Sequence, residues 1–118
     1  MPWDLFIAAR LIAQLAPQAS PDPDHGRAVF QICSACHNGR ADALGPSLQG
    51  ILGRTAGTLE GFRYSNPMKR ARFVWDVDRL KSFVRDPQAV VPGTRMPFSG
   101  LTQPDDVDDL VSYLTRLK

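Results

Sequence analysis

The stretch Cys33-Ser34-Ala35-Cys36-His37, "CSACH", holds the only two cysteines of the 118-residue chain and one of its two histidines. It closes a helical pattern running from His25 to Cys36, with Asp24 as its expected N-cap and Val29, Phe30 and Cys33 on one side. Cysteines three apart at a helix end present both sulfurs to one side, and His37 comes about a quarter-turn later. What those three side chains hold together decides the fold.

Upstream, "APQASPDPD" reads as a linker, with Pro17, Pro21 and Pro23 set against helix. Ahead of it, Asp4 and Arg10 interrupt the ~20 apolar residues that a membrane span needs. No basic residue precedes Asp4, so the segment is also a poor secretory signal. As a helix it would line Trp3, Phe6, Ile7 and Leu11 along one face, widened by Leu5, Ile12 and Leu15. Residues 1–22 are therefore expected to be an extension, a helix plus a proline-rich linker able to dock on the domain or on a partner. A residual export signal and an artificial terminus are the alternatives.

Downstream, Asn38 to Asn66 is rich in Gly, Pro, Ser and Thr and reads as loop with at most a short helical turn. Asp76 should cap a helix through "VDRLKSFVRD", with Val77, Leu80 and Val84 inward and Pro87 ending it. "VVPGTRMPFSGL" is again irregular. A last helix should start with Thr102 and Asp105 as an acidic capping box and Pro104 in its first turn. Val107, Leu110, Val111, Leu114 and Leu117 form its apolar stripe. Its aspartates, Asp105, Asp106, Asp108 and Asp109, stand near the positive end of the dipole, and Arg116 with Lys118 near the negative end.

The totals fit one domain, placed at residues 23–118. Hydrophobic content of 43% and charged content of 22% are those of a folded globular chain. A net charge of +2, from arginines scattered among aspartates, argues against nucleic-acid binding. Three short helices with long loops and no strand pattern bury little apolar surface by themselves. Something other than protein should fill the centre.

Four readings of the cysteines compete. A disulfide between positions three apart closes too small a loop to stabilise much, because its benefit grows with loop length. A thioredoxin-like redox pair needs a strand–helix setting that is missing here. A structural zinc site needs four ligands, and adjacent Cys36 and His37 would strain it. Covalent haem attachment through Cys-x-x-Cys-His accounts for the spacing best: two thioethers fix the macrocycle's edge and the neighbouring imidazole reaches the iron.

With "VPGTRMPF" around residue 96 and a closing amphipathic helix, residues 24–118 resemble a class I cytochrome c. Gly26 and Phe30 match the family's first helix where it packs on the last, and Leu110 and Tyr113 match the partner positions. The resemblance implies an all-α cytochrome c fold: three main helices and long loops wrapped around one haem c, attached through Cys33 and Cys36. It implies His37 and Met96 as axial iron ligands, the Pro46 carbonyl as partner of the His37 ring, and Thr94 as part of the Met96 motif. It further implies Arg54, Tyr64 and Trp75 near the haem propionates and Phe98 shielding the Met96 side. Three positions depart from the common pattern. Phe83 replaces a frequent tyrosine, Met68 a frequent asparagine, and Gln88 a frequent lysine, while Arg95 keeps the basic character of its place. The first two suggest a drier cavity, and the thin lysine ring makes docking to a strongly acidic partner less certain.

The implied function is one-electron transfer, without catalysis, between respiratory or dehydrogenase partners that meet the haem edge. A dedicated cytochrome subunit of a periplasmic dehydrogenase or oxidase complex is the alternative. A haem peroxidase or gas sensor would require an open iron site. Haem c is attached outside the cytoplasm, so the implied location is the bacterial periplasm or the outer face of a membrane, with the mitochondrial intermembrane space as alternative.

Overall fold

Prolines set most of the helix starts. The computed structural model describes residues 20–118; the expected helix along Trp3 to Leu15 and the start of the linker lie outside the described residues. Among the described residues there are five helices: α1 (Pro23–Ser34), α2 (Asn66–Ala71), α3 (Val77–Arg85), α4 (Pro87–Val90) and α5 (Pro104–Leu114). The residue before a proline is kept out of the helical region by the pyrrolidine ring. Asp22, Asp86 and Gln103 accordingly have ψ of 104°, 88° and 122°, and each stands as the N-cap of the helix its proline opens.

This rule corrects two expectations. Asp22, not Asp24, caps α1, its carboxylate accepting from the Asp24 amide at 2.9 Å, and Pro23 opens the helix instead of opposing it. At α5 the cap falls on Gln103, which makes no side-chain cap bond, so the Thr102–Asp105 box does not form. Asp105 and Asp106 still occupy the first turn, but the helix ends at Leu114, leaving Arg116 and Lys118 beyond its last turn. In α3, Asp76 caps as expected, accepting from the Arg79 amide at 2.7 Å. Val77, in the first turn at the edge of the core, is 38% exposed, while Phe83 is buried with Leu80 and Val84. Helices α2 and α4 are too short to show a hydrophobic period in the sequence. Ser65 before Pro67 is the readable sign of α2: its hydroxyl accepts from the Met68 amide at 3.4 Å.

Packing centres on α5, whose Val107, Leu110, Val111 and Leu114 are buried. Helices α1 and α3 both pack on it, and α4 packs on α3. The α1–α5 crossing is close at Gly26, where a β-carbon would run into the Asp109 carbonyl and the Tyr113 β-carbon. One turn on, the Phe30 and Tyr113 rings lie 5.2 Å apart between centroids. The crossing is fastened at the helix start. The Asp22 amide donates to Asp109 Oδ1 at 2.7 Å, His25 Nδ1 lies 2.8 Å from Asp109 Oδ2, and His25 Nε2 lies 3.8 Å from Asp106. Among the described residues the only strand-like feature is an antiparallel bridge between Thr55 and Val74, extended by the bonds Ala56 N–H to Phe73 O and Trp75 N–H to Arg54 O. No described helix is long and apolar enough to cross a membrane.

The crossing makes two outcomes testable. Alanine in place of glycine inside a helix ordinarily gains about 0.5–1 kcal/mol, but Gly26→Ala should lose about 1–3 kcal/mol in urea unfolding because the added carbon overpacks the contact. A gain would disprove the close approach. The second outcome concerns pH. The hydrogen bond to Asp109 raises the His25 pKa above 6.5, so that contribution is complete below pH 6.5 and disappears as pH rises through the folded value. The Asp22 amide and His25 lower the Asp109 pKa below 3.8, so its contribution is complete above pH 3.8 and disappears as pH falls through the folded value. Stability should therefore decline as pH rises beyond 6.5, and His25→Gln should flatten that decline in pH-resolved thermal melts.

Candidate haem site

The last turn of α1 carries Cys33, and its carbonyl organises the "CSACH" segment. It accepts from both the Cys36 amide at 3.1 Å and the His37 amide at 2.9 Å, winding the pentapeptide into a tight turn. The loop then returns: the Gly45 amide donates to the Cys36 carbonyl at 3.0 Å. Gly45 lies flat against the imidazole, since a β-carbon there would stand 2.5 Å from His37 Cε1 and 2.6 Å from Nδ1. The close approach places the Pro46 carbonyl 2.7 Å from His37 Nδ1.

That contact fixes a tautomer. A carbonyl oxygen can only accept, so Nδ1 carries the proton and Nε2 keeps a free lone pair. Burial lowers the His37 pKa, partly opposed by the Pro46 bond, which keeps the ring neutral and able to ligate. Cys33 and Cys36 are unpaired thiols, both half-buried. Before attachment, burial, then the neighbouring Cys36, raises the Cys33 pKa above its ordinary value. Among the described residues no three His, Cys, Asp or Glu side chains converge as a metal cluster.

The "VPGTRMPF" loop comes after α4. Thr94 is buried; its amide donates to the Val91 carbonyl at 3.0 Å, and its hydroxyl lies 3.5 Å from the Met96 amide. The Arg95 guanidinium donates to the Arg63 carbonyl. Met96 and Cys33 are both half-buried against the same hydrophobic core, as are Met68 and Leu48; Phe98 is half-buried outside it. Arg54 donates to the Ser47 carbonyl at 2.9 Å and the Gln49 carbonyl at 3.3 Å, bracing the loop after Pro46. The Tyr64 hydroxyl accepts from the Leu59 amide at 3.2 Å, leaving its own proton to donate elsewhere. Trp75 is buried edge-on between Phe73 and Phe83, with centroids 4.7 and 5.0 Å away. Two contributors are not evident from sequence. Gly45 has one faint signal, a glycine directly before the proline that faces His37. Gln88 has none beyond standing where a lysine is frequent.

Unpaired thiols beside an imidazole held in one tautomer fit a flat macrocycle fastened at its edge, with a nitrogen offered to its metal. Proteins with covalently bound haem c form the class that this arrangement defines. Comparisons with known proteins agree: the family model described as cytochrome c matches residues 23–118. A cytochrome c2 of Blastochloris viridis is 39% identical over 117 residues, covering 97% of this chain and 90% of that protein. Cytochrome c2 iso-2 of Magnetospirillum molischianum is 44% identical over 93 residues, covering 77% and 96%. Among solved structures, cytochrome cH from Methylobacterium extorquens superposes with a TM-score of 0.76 at 38% identity, covering 80% of this chain and 98% of that one. The chain belongs to the cytochrome c family, as a class I, mono-haem member of the bacterial type. It is an electron-transfer protein with covalent haem c.

The haem should also complete the core, since α2 and α4 span only 6 and 4 residues and isolated helices of that length do not persist in water. A Cys33→Ala/Cys36→Ala chain prepared without haem is expected to be largely unfolded by far-UV circular dichroism. A native helical spectrum from that chain would refute this account.

Proposed function

We propose that the chain is a one-electron carrier whose haem iron would be held by His37 and Met96. The observation that carries this reading is the His37–Pro46 bond, which occupies Nδ1 and leaves Nε2 as the nitrogen free to ligate. The haem supplies a metal that changes oxidation state by one electron. Cys33 and Cys36 hold its edge as thioethers, and Gly45 and Pro46 keep the imidazole from turning. Thr94 and its loop present Met96, and Phe98 screens that side from water. Arg54, Tyr64 and Trp75 offer donors to the propionates. With His37 and Met96 both holding the iron, substrates would not reach the metal, and the chain would carry electrons without catalysing a reaction. A thioether ligand favours the reduced iron relative to a second histidine, and burial of Phe83 where a hydroxyl is common keeps the surroundings apolar.

In this reading residues 23–118 are the haem domain and residues 1–22 an extension available to a partner. Haem attachment outside the cytoplasm places the protein in the periplasm or on the outer face of a bacterial membrane. Electrons pass to redox proteins at the thioether edge, through a small transient interface. A second reading, a dedicated subunit of a dehydrogenase or oxidase complex, draws on the rim. Ile32 beside Cys33 is 60% exposed and Leu44 is 82% exposed, and nearby Arg40 stands 3.8 Å from Asp42. Such a rim suits a lasting partner better than a lysine-steered encounter, and co-purification with a large partner would favour it.

Visible and near-infrared absorption of the holoprotein tests the ligation. A sulfur-to-iron charge-transfer band when oxidised, and no change under carbon monoxide when reduced, is expected. Absence of the band with ready carbon monoxide binding would remove Met96 as ligand and the carrier reading with it.

A further inference from the structure

We infer that Gln88 is a positioning residue that latches the Met96 loop closed. The inference rests on Met96 being an iron ligand, but its observations are separate. The Gln88 carboxamide uses both ends on the backbone of two successive loop residues: Nε2 donates to the Thr94 carbonyl at 2.9 Å, and Oε1 accepts from the Gly93 amide at 3.0 Å. The next link runs from Thr94, whose hydroxyl faces the Met96 amide at 3.5 Å. One side chain therefore spans the root of the loop, two residues before the sulfur.

Its base is firm. Gln88 sits in α4, where Pro87 is buried and Asp86 accepts from the Ala89 amide at 3.3 Å. The loop's own backbone bond is the Thr94 amide on the Val91 carbonyl at 3.0 Å. Gly93 has φ of +87°, a left-handed conformation that glycine adopts freely in this Pro92–Gly93 turn, and a β-carbon there would stand 3.1 Å from Pro67 Cγ. The other tether is Arg95 on the Arg63 carbonyl, on the far side of Thr94. The required chemistry is specific. Glutamate offers only acceptors and lysine only donors, and leucine, one atom shorter, offers neither. Gln88 alone among these spans both peptide groups.

An outside ligand can take the iron only when the loop opens, so its apparent affinity scales with the open fraction. Loss of two neutral hydrogen bonds should raise that fraction about tenfold. The test is imidazole titration of oxidised holoprotein, monitored by loss of the sulfur-to-iron band. Gln88→Leu should bind imidazole about tenfold more tightly than the parent. Gln88→Glu and Gln88→Lys, each keeping one bond, should fall between them. This graded order separates a latch from a general loss of stability, and the two polar variants supply the test if Gln88→Leu fails to fold. Equal imidazole affinity in the parent and all variants, with the band present in each, would overturn the latch while leaving Met96 ligation intact. A parent without the band would overturn both.

Discussion

The contact between Gly26 and the α5 backbone sets everything else in register. Because no side chain separates the two helices there, α1 lies on α5 at backbone distance, and the ring pair Phe30–Tyr113 fixes its rotation. Rotation matters because Cys33 is seven residues along the same helix, two turns from the crossing. A different roll of α1 would swing the thiol away from the core against which it packs. The Asp22 and His25 bonds to Asp109 act at the same crossing from its N-terminal side. Both bonds fall on one carboxylate in the middle of α5, so a single aspartate fastens the junction.

From that register the site is built by backbone, not by side-chain chemistry. The Cys33 carbonyl winds the turn, the Cys36 carbonyl receives Gly45, and the Pro46 carbonyl orients His37. The last of these comes with a close approach of Gly45 to the imidazole that a larger residue at position 45 would prevent. The imidazole is thus held by the chain that flanks it on both sides. Its orientation depends on nothing remote.

Much of this is legible in the sequence because the signals are local. "CSACH", the Asp76 cap and the α5 stripe each lie within a few residues; the structure builds the cap and the stripe from Val107 to Leu114 where expected, while Leu117 falls past the helix end and α1 stops at Ser34, short of Cys36. The two misplaced caps are also local, and share one cause. Pro23 and Pro104 each force the residue before them out of the helical region, and that residue becomes the cap. What the sequence could not disclose is tertiary: that Arg54 braces Ser47 and Gln49, that Trp75 is enclosed by two phenylalanines, and that Gln88 reaches a carbonyl six residues away. Such partners are chosen by the path of the loops. Neither spacing nor residue type specifies that path.

The two sides of the site consequently differ in stiffness. On the His37 side a turn, a glycine contact and a carbonyl act within nine residues of chain, continuous with α1. On the Met96 side the loop leaves a four-residue helix and is tied by one turn bond, from the Thr94 amide to the Val91 carbonyl, and by side-chain hydrogen bonds from Gln88 and Arg95. If both residues ligate one iron, the sulfur is the ligand that yields first, because opening it breaks a few hydrogen bonds, whereas displacing the imidazole would unwind the turn that also carries both thioethers. Hydrogen bonds of this kind contribute about 0.5–1.5 kcal/mol each. A few side chains around positions 88–95 can therefore move the balance between a closed carrier and an accessible iron by orders of magnitude, with the fold unchanged. Evolution of a carrier toward a ligand-binding haem protein would meet least resistance here.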